Sequence, residues 1–148
     1  MRLVIDASVL VGECLRPRGR DRLEDTRLEF FVPEQTLAET RYELPRRVAA
    51  FQRSRALPQR DADAMLARAL AVVATALVPV DRAAYASVEP EARRRSLRDP
   101  RDWPLVASAL ILDCGVWTND KDMLGTGVPT WTTETIKARL DHESLQAR

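Results

Sequence analysis

The sequence predicts an α/β sandwich of three layers, α/β/α, with a mainly parallel central sheet. Two observations carry that expectation. Short apolar runs alternate with segments of helical periodicity, the pattern of strand–helix–strand units. The runs are also apolar throughout rather than alternating, as in strands covered on both faces. The length of 148 residues suits one ordinary domain, placed at residues 1–141, with a polar tail over 142–148 expected to fray.

Leu3, Val4 and Ile5 form the first run, stopped by Asp6 and Ser8, and Ala7 to Cys14 continue as a helix. Arg16-Pro17-Arg18-Gly19-Arg20 combines proline, glycine and charge and is expected to be a loop. Phe30, Phe31 and Val32 make a second strand ended by Pro33, a residue suited to opening a helix. Leu37, Leu44, Val48 and Phe51 then share one helical stripe, while Glu39 and Glu43 share another face. Pro45 removes a backbone donor within that helix and is expected to kink or break it. A helix from about Gln59 to Ala76 sets Met65, Leu66, Leu70 and Val73 on its buried side and leads into a strand at Leu77 to Val80. Asp81 can cap the next helix. Pro90 and Arg93, Arg94 and Arg95 break the pattern. Pro104 fits a first helical turn, and Leu105, Val106, Ala109, Ile111 and Leu112 make its helix apolar on most sides, so it is expected to be buried, with Gly115 as its stop. Val116, Trp117 and Thr118 form a strand followed at once by Asn119-Asp120-Lys121-Asp122. Val128 to Trp131 are the last strand, Thr132 or Thr133 a cap, and Ile136 to Leu140 the closing helix.

The formal net charge of +1 excludes a nucleic-acid binder that works by overall charge, so any basic surface must be local. Arginines do gather at 16–22, 41–60 and 91–101. No apolar run approaches the roughly 20 residues of a membrane span, and the start MRLVIDASVL lacks the layout of a secretion signal. The expectation is a soluble, unprocessed protein. Cys14 and Cys114 lie far apart without metal-site spacing, which suits a reducing cytoplasm and inert thiols. No phosphate-binding glycine loop is present. The one histidine, His142, lies in the expected tail, against a histidine-pair nuclease. Trp103, Trp117 and Trp131 flank predicted buried elements and are read as core.

In an open parallel sheet the functional crevice lies beyond the carboxyl ends of the strands. Asp6 and Asp120 follow predicted strands directly, and Glu39 lies less than two turns into the helix after the second strand. Asp102 stands at the start of the buried helix, where the dipole favours a carboxylate. Each has a plainer use: Asp6 and Asp102 as caps, Glu39 as a solvated residue with Glu43 its rival, Asp120 and Asp122 as a charged turn. Asp99 competes with Asp102 for one role. Two carboxylates about 4 Å apart repel by roughly 4 kcal/mol at an effective dielectric near 20, so several in one crevice require a cation. Hard oxygen donors without His or Cys select Mg²⁺ or Mn²⁺, whose bound water can attack a phosphodiester. Arg93, Arg94, Arg95, Arg98 and Arg101 precede the Asp102 helix and could hold the phosphate backbone of a nucleic acid, Arg98 and Arg101 from closest by.

VIDASVLV, VPEQTLAE, RDPRDWPLVASAL and WTNDKDM resemble, in order, the four acidic motifs of PIN-domain nucleases, across almost the whole chain. The resemblance implies a PIN-like sandwich in which Asp6, Glu39, Asp102 and Asp120 are catalytic acids. Asp6, Asp102, Asp120 and Asp122 are then metal-binding, with Ser8 and Asp99 supporting; Arg98 and Arg101 are expected on the substrate from their place before the Asp102 helix. It further implies an RNA substrate and, as in VapC-like toxins, a homodimer restrained by a cognate antitoxin. Asp102 is preferred to Asp99 because Ala107 and Ala109 follow it at the family's offsets. A haloacid dehalogenase phosphatase would need a second Asp where Ser8 stands. The competing reading is a catalytically silent PIN-like module that only binds RNA or protein.

Overall fold

A computed structural model describes residues 1–146. Five strands, β1 (Arg2–Ile5), β2 (Glu29–Pro33), β3 (Leu77–Val80), β4 (Gly115–Trp117) and β5 (Thr130–Trp131), form one sheet in the order β3-β2-β1-β4-β5. All the pairings are parallel, with Leu3 opposite both Phe30 and Gly115, and Ile5 opposite Trp117. The helices are α1 (Ala7–Cys14), α2 (Pro17–Leu23), α3 (Glu34–Arg55), α4 (Gln59–Thr75), α5 (Arg82–Tyr85), α6 (Glu89–Arg95), α7 (Trp103–Leu112) and α8 (Thr133–Gln146).

Successive strand residues enter two different cores. Leu3, Ile5, Phe30, Val32 and Trp117 pack with side chains of α1, α3, α4 and α8, whereas Val4, Phe31 and Val116 pack with Tyr85, Trp103 and Val106 from α5 and α7. That alternation follows from the two-residue period of a strand and makes the sheet the middle of three layers, the expected α/β/α sandwich. The wholly apolar runs thus reflect cover on both faces.

Several local expectations fail for identifiable reasons. The Arg16–Arg20 segment is not a loop: α2 begins at Pro17, whose missing N–H costs nothing in a first turn. Its Gly19 permits close approach to α1, where an added Cβ would lie 2.3 Å from the Glu13 carbonyl oxygen. Glu13, 1% exposed, is answered by Arg16 at 3.2 Å and by Arg22. Arg16, Arg20 and Arg22 therefore tie α2 to α1, Arg20 by donating to the Cys14 carbonyl oxygen. The same misreading of proline occurs at Pro90, in the first turn of α6. There Glu89–Arg93 and Glu91–Arg95 pair at 2.7 Å one turn apart, an arrangement that supports a short helix.

Pro45 does not break α3, which runs through it; the proline is exposed, where a freed carbonyl can be hydrated. Phe51 and Leu70, placed on buried stripes, are 36% and 39% exposed; in α4 the buried face runs through Ala62, Ala69, Val72 and Val73 instead. Gly115 does not stop α7. Asp113 takes the left-handed position after it at φ 48°, while Gly115 lies in β4 with its would-be Cβ 2.7 Å from Trp131 Cδ1. The last strand is shorter than Val128 to Trp131. Asp81 stands at the start of α5 without a capping bond from its side chain. The tail expected to fray from His142 is helical through Gln146; Ala147 and Arg148 lie outside the described residues. Among the described residues no helix is long and apolar enough to cross a membrane.

The α1–α2 contact gives a direct test. Gly19→Ala should lower the free energy of unfolding by about 1–3 kcal/mol, the usual cost of forcing atoms into a packed contact, measured by urea denaturation. Unchanged stability would mean that α2 does not sit on α1 as described.

Candidate active site

The strand order reverses at β1, with β2 on one side and β4 on the other. At such a switch point the flanking connections leave in opposite directions and open a crevice at the carboxyl ends. Asp6 sits at this point. Its backbone N–H donates to Trp117 O at 3.1 Å, extending the β1–β4 ladder by one residue. Its side chain is drawn to both flanks: Oδ2 accepts from Ser8 Oγ at 2.9 Å and from Thr118 Oγ1 at 2.8 Å, and Oδ1 from the Ser8 N–H at 3.4 Å. Asp6 is therefore the N-cap of α1 and a member of the crevice at once, and the plain and functional readings of it are compatible.

Thr118 links the strand ends. Besides donating to Asp6 it accepts the N–H of Asp120 at 3.0 Å, so one buried hydroxyl ties two acidic positions together. Asp120 in turn accepts the N–H of Asp122 at 2.8 Å and so caps the short turn at 121–123. Asp102 stands at the start of α7 but makes no capping bond; its carboxylate is not consumed by the helix. Capping falls to Asp99 in the preceding turn, where it accepts the Arg101 N–H at 2.9 Å and both Nε and Nη2 of the Arg101 guanidinium at 3.1 and 2.9 Å.

These segments line an open cavity of about 410 Å³ whose walls include Asp6, Ser8, Glu39, Asp99, Arg101, Asp102 and Asp120, together with Gln35 and Thr36. Asp122 and Arg98 are not in that lining; they face each other at 3.9 Å. Of the arginines before α7 only Arg101 reaches the cavity, since Arg94 and Arg95 are engaged by Glu91. A second hollow of about 260 Å³ between α1 and α3 adjoins the first at Ser8 and Glu39 and is lined by Ala7, Val11, Leu15, Glu43 and Arg47 as well. Thr118, Gln35 and Thr36 were not singled out in the sequence. Thr118 carries a signal there, a hydroxyl between a strand end and an acid; Gln35 and Thr36 carry none beyond lying in the same turns as Glu39.

The charge in this cavity is unbalanced. The carboxyl of Asp102 is pushed up to about 6 by burial, then by Asp99, Asp6 and Asp120, against which Arg101 is insufficient. Glu39 is raised as well, by burial first and then by Asp6 and Glu43. Asp99, by contrast, is held low by its hydrogen bonds from Arg101. Asp102 and Asp99 are thus distinguished: one faces other acids, the other is satisfied by an arginine. Elsewhere burial pushes the Cys14 thiol up to about 12 and raises Cys114, so neither is a ready thiolate.

The donors suit a hard divalent cation, since carboxylates line the cavity without His or Cys. Among the described residues, no group of three or more His, Cys, Asp or Glu side chains already forms a finished shell. Mg²⁺ does not require one, because it keeps several of its waters beside one or two carboxylates.

A family model described as PIN domain matches residues 4–141. No curated protein matches the chain.

The raised Asp102 carboxyl has a consequence for stability. Its folded value lies above its unfolded value of 3.8, so between 3.8 and about 6 the folded state binds more protons, and stability falls as pH rises through that window. In EDTA the protein should therefore unfold at higher urea at pH 5 than at pH 7. Asp102→Asn should add about 1 kcal/mol at pH 7, a value reduced for solvent screening of a half-buried group. A wild type equally stable at both pH values, with no gain in the Asn variant, would show that neither burial nor the neighbouring acids raise Asp102 in the folded state.

Proposed function

Because the chain belongs to the PIN-domain family, a fold of metal-dependent nucleases, we propose that it is an endoribonuclease hydrolysing RNA phosphodiesters with Mg²⁺ or Mn²⁺. The observation that carries this reading is the single cavity into which four chain segments bring Asp6, Glu39, Asp102 and Asp120 with too little positive charge to balance them. A merely capping or solvated set of acids from four separate segments would have no reason to line one cavity. A silent binding module would have no use for such repulsion, which costs stability unless a cation relieves it.

In this reading Asp6, Asp102 and Asp120 would hold the divalent ion, with Asp122 supporting Asp120 through its backbone N–H. When bound, the ion supplies Lewis acidity and a water of lowered pKa. The protein's own groups do the positioning. Ser8 and Thr118 fix the Asp6 carboxylate by two short hydrogen bonds, so its orientation needs little rearrangement before reaction. Glu39 is the group to accept a proton from the attacking water at its carboxylate, because partial burial of the carboxyl and its acidic neighbours Asp6 and Glu43 raise its affinity for a proton. Arg101, held by Asp99 through Nε and Nη2, keeps Nη1 for a phosphate oxygen of the substrate.

The biological role we propose is that of the toxin in a type II toxin–antitoxin pair, acting in the cytoplasm as a homodimer. The hollow between α1 and α3 would suit an antitoxin segment reaching the acidic cavity, having apolar side chains along it and Arg47 at its rim.

Cleavage of labelled single-stranded RNA should stop in excess EDTA and return with Mg²⁺ or Mn²⁺. Asp6→Asn should lose activity by at least about 100-fold while keeping the wild-type circular dichroism spectrum. Thr118→Val should lose about 10–100-fold, as expected for a group that orients a metal ligand. Undiminished turnover in EDTA, or wild-type rates from Asp6→Asn, would refute the assignment; RNA bound without turnover under any metal would favour the silent module.

A further inference from the structure

Next to the acidic cavity lies one of opposite character, and it contains arginines from three separate segments. Its volume is about 280 Å³ and its lining is Gln35, Arg82, Arg93, Pro100, Arg101 and Trp103. Gln35 and Arg101 line both cavities, so the two spaces are contiguous.

Three features make this more than a basic patch. The guanidinium carbons of Arg82 and Arg93 lie 5.6 and 4.9 Å from the centre of the Trp103 ring; cation–π contacts of that kind favour these positions before any ligand arrives. Trp103 is only 4% exposed, so it serves as a floor beneath the arginines rather than a platform for a base. Finally, the arginines are incompletely used. Arg93 donates through Nε to Glu89 at 2.7 Å, and Arg82 through Nη2 to the same carboxylate at 3.5 Å. Among the described residues, both η nitrogens of Arg93 and the Nε and Nη1 of Arg82 meet no acceptor. One glutamate thus orients two arginines without neutralising both, leaving positive charge and unpaired N–H groups on side chains that line the cavity.

We propose that Arg82 and Arg93, with Arg101 and Gln35 at the shared rim, form a subsite for one backbone phosphodiester of the RNA, next to the phosphate that lies at the acids. Phosphate is the ligand that fits: an anion with several acceptor oxygens, matched to guanidinium forks. Such a subsite answers a difficulty of the acidic cavity, whose carboxylates repel a polyanion. A basic pocket alongside anchors the strand and leaves the acids to the metal. The proposal rests on the ribonuclease reading and assigns much of the grip on the strand to Arg82 and Arg93, which lie outside the acidic motifs.

The test is equilibrium binding of a fluorescein-labelled single-stranded RNA 12-mer in EDTA, followed by anisotropy across a range of salt concentrations. Each neutralised phosphate of a single strand contributes about 0.7 to the slope of log affinity against log salt. The Arg82→Gln/Arg93→Gln double variant should bind about tenfold more weakly at low salt and lose about 0.7 of that slope, with an unchanged circular dichroism spectrum. Arg82→Lys should keep most of the slope, because the charge remains. If the double variant matches the wild type in affinity and slope, the subsite is wrong. If affinity falls while the slope is unchanged, the arginines act only through packing on Trp103, which also overturns it. Should the double variant misfold, Arg82→Gln alone decides by the same slope. These outcomes are separable from the parent reading: a wild type that neither binds nor cuts RNA refutes the nuclease, whereas one that cuts RNA and binds equally well without the two arginines refutes only this subsite.

Discussion

Carboxylates that would repel one another in open water are held at a common cavity by the scaffold, and the other features of the site follow from that enforced repulsion. Asp102 shows it most directly, its carboxyl pushed up to about 6 by burial and by Asp99, Asp6 and Asp120. A helix start ordinarily favours a charged acid; here burial and like charge outweigh that preference. An arrangement that costs stability persists when function requires it. The structure also shows how the cost is contained. Asp99 is satisfied by Arg101, Asp6 by Ser8 and Thr118, and Asp120 lends an oxygen to the Asp122 N–H.

What keeps these groups together is the topology of the sheet. Reversal of strand order at β1 puts the ends of β1 and β4 side by side, and Thr118 joins them through Asp6 and Asp120. The neighbours in this region are tightly specified: Gly115 leaves space for Trp131, and Trp117 at the end of β4 is fully buried against Phe30. Asp102 arrives from the other layer on α7, whose buried face packs beneath Val4 and Val116. The acids therefore come from both sides of the sheet, and neither layer alone contains a site. The arginine-lined cavity lies on the α7 side of this arrangement, around a Trp103 that anchors the helix start.

Much of this was legible before the structure because strand burial and strand ends leave strong marks. Runs such as Leu3-Val4-Ile5, apolar on both faces and closed by Asp6, announce a buried parallel strand and its functional end together. Asp120 after Trp117 and Thr118 is of the same kind. Misread segments share a cause: proline at Pro17 and Pro90 was taken as a breaker although it sits in first turns, and local composition does not say on which side of a helix boundary a proline falls. Leu70 misled because apolar spacing alone does not fix which face turns inward, and α4 buries Ala69, Val72 and Val73 instead. Thr118 and the pair Arg82 and Arg93 depend on contacts between distant segments. No periodicity records that Arg82 and Arg93 meet over Trp103.

The central claim, that the acids share one cavity whose charge is relieved by a divalent ion, is tested most directly by thermal unfolding at pH 7 against millimolar Mg²⁺ or Mn²⁺. A ligand that binds only the folded state raises the melting temperature with concentration. The expected result is a rise of several degrees for the wild type, titratable and reversed by EDTA, and little or none for Asp6→Asn or Asp120→Asn. A melting temperature that ignores both ions, or that rises equally in all three proteins, would contradict the account.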